Sequence, residues 1–220
     1  ELISSNLTFK NAYANVFPSA HVKYDLDKVS QFSLSYSKRI NRADSRQLNP
    51  FTSYADPFNL RSGNPELKPE YIHSFDLGYS LEKKRFSLTS SLYYRNSTGV
   101  ISRVKEFYNN GTSAVTFMNI AQTKALGFES VLMFKPIPTL RSTLSYNANY
   151  TWYITNQASL PNRQGFNHNV KWNTSYEFWK KTATVQLSVN YNGQRVTVQG
   201  IAQRQGPVDI AFEKKFSNGK

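Results

Sequence analysis

Cysteine is absent from the 220 residues, so neither a disulfide framework nor a thiolate metal site is available. No apolar run approaches the ~18 residues of a membrane-crossing helix, and mean hydropathy is -0.55, which taken alone describes a soluble chain. Helical periodicity is missing as well, and no helix is predicted anywhere. Acidic residues are scarce: 14 Asp plus Glu face 27 Lys plus Arg, a balance of +13. That excess suits nucleic acid, an acidic membrane surface or an anionic ligand. The basic pairs Lys83-Lys84, Lys180-Lys181 and Lys214-Lys215 fall at turns and strand ends rather than along one helix, which argues against nucleic acid. Catalytic patterns are lacking too. His21, His73 and His168 lie in different strands without metal-ligand spacing, and Gly193, Gly200 and Gly206 are spaced as turns, not as a phosphate cradle. With no nucleophile elbow or dinucleotide fingerprint, neither an enzyme, a metal site nor a cofactor is expected. Glu1 to Lys10 has neither the basic start nor the apolar centre of a signal peptide.

What is present is aromatic: 15 Phe and 14 Tyr, too many for a disordered chain. The stretch Gly63 to Tyr79, GNPELKPEYIHSFDLGY, organises the rest. Pro65 and Pro69 stiffen it, and it hands over to a strand in which Tyr71, His73, Phe75, Leu77 and Tyr79 share one face. Residues 1–17 read as the tail of an earlier strand or loop. Ala20 to Leu26 and Phe32 to Tyr36 form a hairpin around Asp27-Lys28. Residues 41–66, with three prolines, four asparagines and three arginines, lack any period and read as a long loop. The strand from about residue 67 to Leu81 turns at 82–84 and returns from Phe86 to Tyr94. Asn96 to Gly99 and Asn109 to Gly111 mark a second exposed loop. If the turns near 27, 83, 136 and 180 lie on one side, residues 114–135 must be one long descending strand. Leu140 to Ile154, Phe166 to Phe178, Ala183 to Tyr191 and Val208 to Phe212 complete about nine strands. Between them lie a third loop at about 155–165 and a fourth at 192–206, and Ser217 to Lys220 trail as a turn.

Strands long enough to cross a bilayer at a tilt, a polar face rich in Asn, Ser, Thr, Lys and Arg, and aromatics gathered near strand ends all favour an all-β, antiparallel up-and-down transmembrane β-barrel. Its long loops are extracellular and its short turns periplasmic. Hydrocarbon offers no partner for backbone N–H or C=O, so a spanning sheet must close. Residues 1–220 are therefore expected to be one partial barrel domain of a larger ring, with earlier and last strands outside this sequence. The rival readings are a soluble or surface carbohydrate-binding β-sandwich, whose apolar side chains lie between two sheets, and a non-energised porin or adhesin.

The segments FPSAHVKYDL, SLSYSKRINRADSRQLNPF, GNPELKPEYIHSFDLGY and NIAQTKALGFE, in that order, resemble the barrel of TonB-dependent outer-membrane receptors, most of all the outer-membrane β-barrel proteins of Bacteroidetes. Asn119, Gly127 and Glu129 match the Asn and Gly-x-Glu of the long descending strand in that family. The resemblance implies a bacterial outer-membrane location and a barrel of roughly 22 strands. It also implies an N-terminal plug and import of a large nutrient, an iron chelate, glycan, peptide or cobalamin, with energy from TonB. The partners it implies are outer-membrane lipid and lipopolysaccharide, the TonB complex through the plug region, and an imported ligand that the sequence does not identify. Loop residues Arg42, Arg46, Tyr54, Phe58 and Arg61, with Arg195 and Arg204 of the fourth loop, are the candidates for gripping an anionic chelate or stacking on a sugar. Trp152, Trp172 and Trp179 read as girdle or lipid-face residues.

Overall fold

The computed structural model describes residues 15–155, 160–180 and 182–216; residues 1–14, the middle of the third loop, Lys181 and the final turn lie outside them. The strands are β1 (Ser19–Asp25), β2 (Ser30–Asn41), β3 (Asn59–Arg61), β4 (Glu70–Lys83), β5 (Phe86–Phe107), β6 (Ser113–Phe134), β7 (Leu140–Thr155), β8 (Arg163–Phe178), β9 (Ala183–Asn192), β10 (Arg195–Val196), β11 (Ile201–Ala202) and β12 (Val208–Lys214). The sheet runs β1-β2-β4-β5-β6-β7-β8-β9-β12, a nearest-neighbour meander, while β3 pairs parallel with the start of β6 and β10 with β11. This is the antiparallel up-and-down barrel wall expected from the alternation, with the descending strand at 113–134.

Three expectations change. The loop of residues 41–66 contains one short helix, α1 (Ser45–Leu48), capped reciprocally by Asp44 and Gln47. Asn96 to Gly99 are not a loop: β5 continues through them to Phe107, with register shifts between Ser97 and Ile101. Gly99, at φ 67°, takes up the irregularity that a bulge imposes. The fourth loop carries the small β10–β11 hairpin.

Short turns close one end. Asp27 Oδ1 accepts the N–H groups of Val29 and Ser30, both at 2.8 Å, and these bonds hold its carboxyl below the usual aspartate range. Trp179 and Lys180 adopt φ of 50° and 54° at the β8–β9 turn.

Register fixes two unlike faces. On one, cross-strand rows are apolar: Leu34–Leu77–Leu92–Phe128–Ala148, and nearer the turns Leu81–Leu88–Leu132–Leu144–Trp172–Val189–Val208. None of these side chains is buried: they are half-buried or exposed, Leu77 at 48% and Leu92 at 53%. On β5 the band runs from Phe86 to Tyr94, about 27 Å along the strand and roughly 21 Å after a ~40° tilt, close to the ~25 Å apolar belt of membrane barrels. Aromatics edge it: Tyr36, Phe75 and Tyr94 pack in sequence with tilted rings at the loop end, and Phe178 packs on Trp179 and Phe212 at the turn end.

The opposite face is polar. It carries Asp25, Glu70, Asp76, Glu82, Glu129, Glu177, Asp209 and Glu213, each alternate to an apolar neighbour. Here Tyr93, only 4% exposed, lays its ring over Gly127, with the Arg95 guanidinium 4.2 Å above it. A Cβ at 127 would overlap that ring and the Asn149 Cβ. We expect Gly127→Ala to destabilise the barrel by about 1–3 kcal/mol through overpacking, measurable as a lower urea midpoint of the whole protein in detergent.

Candidate functional site

The loop end is built, not loose. Gly63 N–H donates to Asn49 O at 2.7 Å and Asn64 N–H to Gln47 O at 2.6 Å, so the first residues of the Gly-Asn-Pro run satisfy carbonyls at the end of α1. A Cβ on Gly63 would strike Gln47 O at 2.5 Å, which is why glycine stands there. Asn64 Nδ2 then reaches Phe117 O at 3.0 Å on β6. Two residues along β6, Asn119 receives Lys68 N–H on Oδ1 (2.8 Å) and donates Nδ2 to Lys68 O (2.8 Å) and Gly99 O (2.6 Å). The loop is thus fixed to the strand that the sequence singled out by its Asn.

Between α1 and β6 lies a cavity of about 380 Å³. Asp44, Arg46 and Gln47 wall one side, Arg61 and Arg103 another, and Val115, Phe117 and Phe51 supply apolar surface. Among the described residues the side chains of Arg46, Arg61 and Arg103 make no hydrogen bond or ion pair. Asp56 stands near Arg61 but is engaged elsewhere: Asn59 Nδ2 (2.8 Å) and Phe58 N–H (3.0 Å) donate to it and hold its carboxyl below the usual range, with a smaller pull from Arg61. Three arginines lining one hollow suit it to planar oxyanions.

A second cavity, about 440 Å³, opens on the polar face of β7–β9 beneath the fourth loop. A chain of carboxamides lines it. Asn147 Nδ2 donates to Glu129 (2.7 Å), Asn149 Nδ2 to Asn147 (3.2 Å) and Asn167 Nδ2 to Asn149 (2.9 Å), while Asn167 Oδ1 accepts Val196 N–H (3.0 Å). The loop folds down because Val196 covers Gly165, where a Cβ would collide. It then crosses to the β5–β6 hairpin, where Val198 packs with Val104 and Ile120, and Gln199 exchanges hydrogen bonds with the Lys105 backbone at 3.1 and 3.2 Å.

Of the candidates read from sequence, Arg46 and Arg61 share the first cavity and Arg195 lines the second. Arg42 is exposed just after β2, Tyr54 and Phe58 are exposed on the loop surface, and Arg204 is exposed between β11 and β12; none of these four lines either cavity. Phe58 serves through its backbone, whose carbonyl accepts Ser113 N–H at 2.8 Å. Arg103 was not anticipated. Little in the sequence signals it, because Val100 to Phe107 does not alternate strictly and the register of β5 shifts between Ser97 and Ile101.

The model of the outer membrane protein beta-barrel family matches residues 1–220. No curated protein matches the sequence. Among solved structures, a mutant of the ferric enterobactin receptor PfeA from Pseudomonas aeruginosa is similar at 14% identity and TM-score 0.58, covering 93% of this chain and 33% of its own. The copper transporter OprC is similar at 12% identity and TM-score 0.63, covering 91% and 31%. The FrpB iron transporter from Neisseria meningitidis is similar at 12% and TM-score 0.59, covering 91% and 32%. The chain spans about a third of the length of these structures, and at such identity the likeness shows the fold.

Proposed function

The chain belongs to the outer membrane protein beta-barrel family, and from that premise we propose that it forms part of the wall of a TonB-energised receptor that imports an anionic chelate too large for porins. Residues 1–220 make up one partial barrel domain in this reading, with the ligand held at the loop end. The observation that carries it is the cavity lined together by Arg46, Arg61 and Arg103, whose side chains make no hydrogen bond or ion pair among the described residues. A metal chelate with carboxylate or catecholate oxygens fits three guanidinium groups, and Phe51 beside them offers a ring to stack on. The names of the similar structures, a ferric enterobactin receptor and iron and copper transporters, support the chelate over a glycan, peptide or cobalamin. A carbohydrate-binding sandwich fits poorly, because the apolar side chains are exposed on one face instead of enclosed between two sheets.

The test is the whole receptor with Arg46→Ala, Arg61→Ala and Arg103→Ala combined, titrated with a ferric catecholate chelate and with a neutral oligosaccharide. Each charge-assisted bond contributes about 1.5–3 kcal/mol, so loss of chelate binding by about 100-fold or more is expected, with binding weakened by salt in the parent. A receptor that takes the neutral sugar and is indifferent to the triple change would overturn the reading. Uptake that survives collapse of the proton-motive force would remove the TonB part alone.

A further inference from the structure

Negative charge is confined to one face of the sheet, while basic residues occur on both. The carboxylates of the meander below the β5 irregularity all lie on the polar face, whereas Lys38, His73 and Lys124 lie on the apolar one, in a single register row: Lys38 opposite His73, His73 opposite Asn96, Asn96 opposite Lys124. Trp152 and Gln164 extend the row across β7 and β8. One step nearer the turns on the same face come Tyr36, Phe75, Tyr94 and Leu126, the aromatic edge of the apolar band.

Position follows from cost. A lysine on the lipid face loses about 2–4 kcal/mol at the bilayer midplane and only ~0–1 near the interface. Two lysines just beyond the aromatic edge therefore stand among headgroups. The row is held in place. Tyr36 Oη and His73 Nδ1 are 2.9 Å apart, the Lys38 ammonium sits 5.6 Å over the Tyr71 ring, and Gln122 Nε2 donates to Asn96 at 2.9 Å. Lys38 and Lys124 are three inter-strand steps apart, about 14 Å.

We propose that this outward row docks the phosphorylated disaccharide headgroup of one lipopolysaccharide molecule, with Lys38 and Lys124 on phosphate oxygens and His73, Asn96 and Gln164 on the sugar between and beside them. The leaflet is fixed by the long loops, which lie at this end of the strands. The sign of the partner is fixed by the row's two ammonium groups and by the confinement of the strand carboxylates to the other face. The inference rests on membrane placement and not on the chelate reading.

The experiment is an affinity measurement on the whole receptor in detergent with bis-phosphorylated lipid A, the same lipid A after dephosphorylation, and phosphatidylglycerol. A basic residue at an anionic surface contributes about fivefold in binding, so K38Q/K124Q is expected to bind lipid A about 30-fold more weakly. Heat-modifiable gel mobility checks that the variant remains a folded barrel. Lys83→Gln at the opposite rim and the triple arginine variant are expected to leave lipid A affinity unchanged, which separates this site from the chelate site. Equal affinity for the dephosphorylated lipid or for phosphatidylglycerol, an unchanged K38Q/K124Q, or an equal loss in Lys83→Gln would each overturn it.

Discussion

Replacing Leu92 by arginine is expected to remove about 2–4 kcal/mol of barrel stability, while Thr89→Arg, three residues away on the same strand, costs about 1 kcal/mol or less. Both residues are exposed in the sheet, Leu92 at 53%, so accessibility alone does not separate them. Their faces do. Leu92 stands in the row Leu77–Leu92–Phe128, inside the aromatic edge of the apolar band, where a guanidinium would have to shed water into hydrocarbon. Thr89, opposite Ser80 and Val131, points to the polar face, where an arginine stays solvated. Phe128→Arg should repeat the Leu92 result from the neighbouring strand. Urea unfolding of the whole receptor in vesicles reads the difference directly. If Thr89→Arg proved the more damaging, the faces would be reversed and the apolar rows would belong inside a soluble core.

The second large effect is local. Asn119→Ala removes three hydrogen bonds that tie Lys68 and Gly99 to β6, about 3 kcal/mol at roughly 1 kcal/mol each. The membrane strands do not depend on them, so the global urea midpoint should move little. What should change is the loop: amide exchange at Lys68 is expected to speed up by about 100-fold, at 1.4 kcal/mol per factor of ten. Trypsin should then cut after Arg46 and Arg61. Asn119→Asp is the informative companion, because it keeps the oxygen that accepts Lys68 N–H and loses both donated bonds. Protection at Lys68 should then fall only partway. Unchanged exchange in Asn119→Ala would mean that Asn64, through Phe117, holds the loop unaided.

The strands were legible because alternation is a direct record of two solvents, lipid on one side and water on the other. The descending strand at 113–134 follows from the placement of the turns alone. Local chemistry was harder to read. Asp44 and Gln47 do have capping-box spacing, but no apolar period follows them, so four helical residues looked like loop. Gly99 read as a breaker since glycine often ends strands; it instead absorbs a bulge, and β5 carries Arg103 on past it. The arginine cavity was half visible for the same reason. Arg46 and Arg61 stood in an evident loop, yet nothing in the spacing of 46, 61 and 103 says that a helix, a parallel strand and a hairpin bring them together. Tyr54 and Phe58 stand exposed on the loop surface outside both cavities, a placement that spacing in the sequence does not reveal.

The bridge made by Val198 and Gln199 also bears on the order in which the wall assembles. Each hairpin of the meander joins neighbours in sequence and can zip as it forms, but Lys105 and Gln199 are 94 residues apart. Contacts of such separation bear the greatest loop-closure entropy and wait until intervening strands have shortened the path. The crossing from β8 to the β5–β6 hairpin therefore forms only after five consecutive strands, β5 to β9, are in register. A slipped strand would leave Val198 without Val104 and Ile120 beneath it, so this small apolar contact acts as a proofreading step on the finished wall.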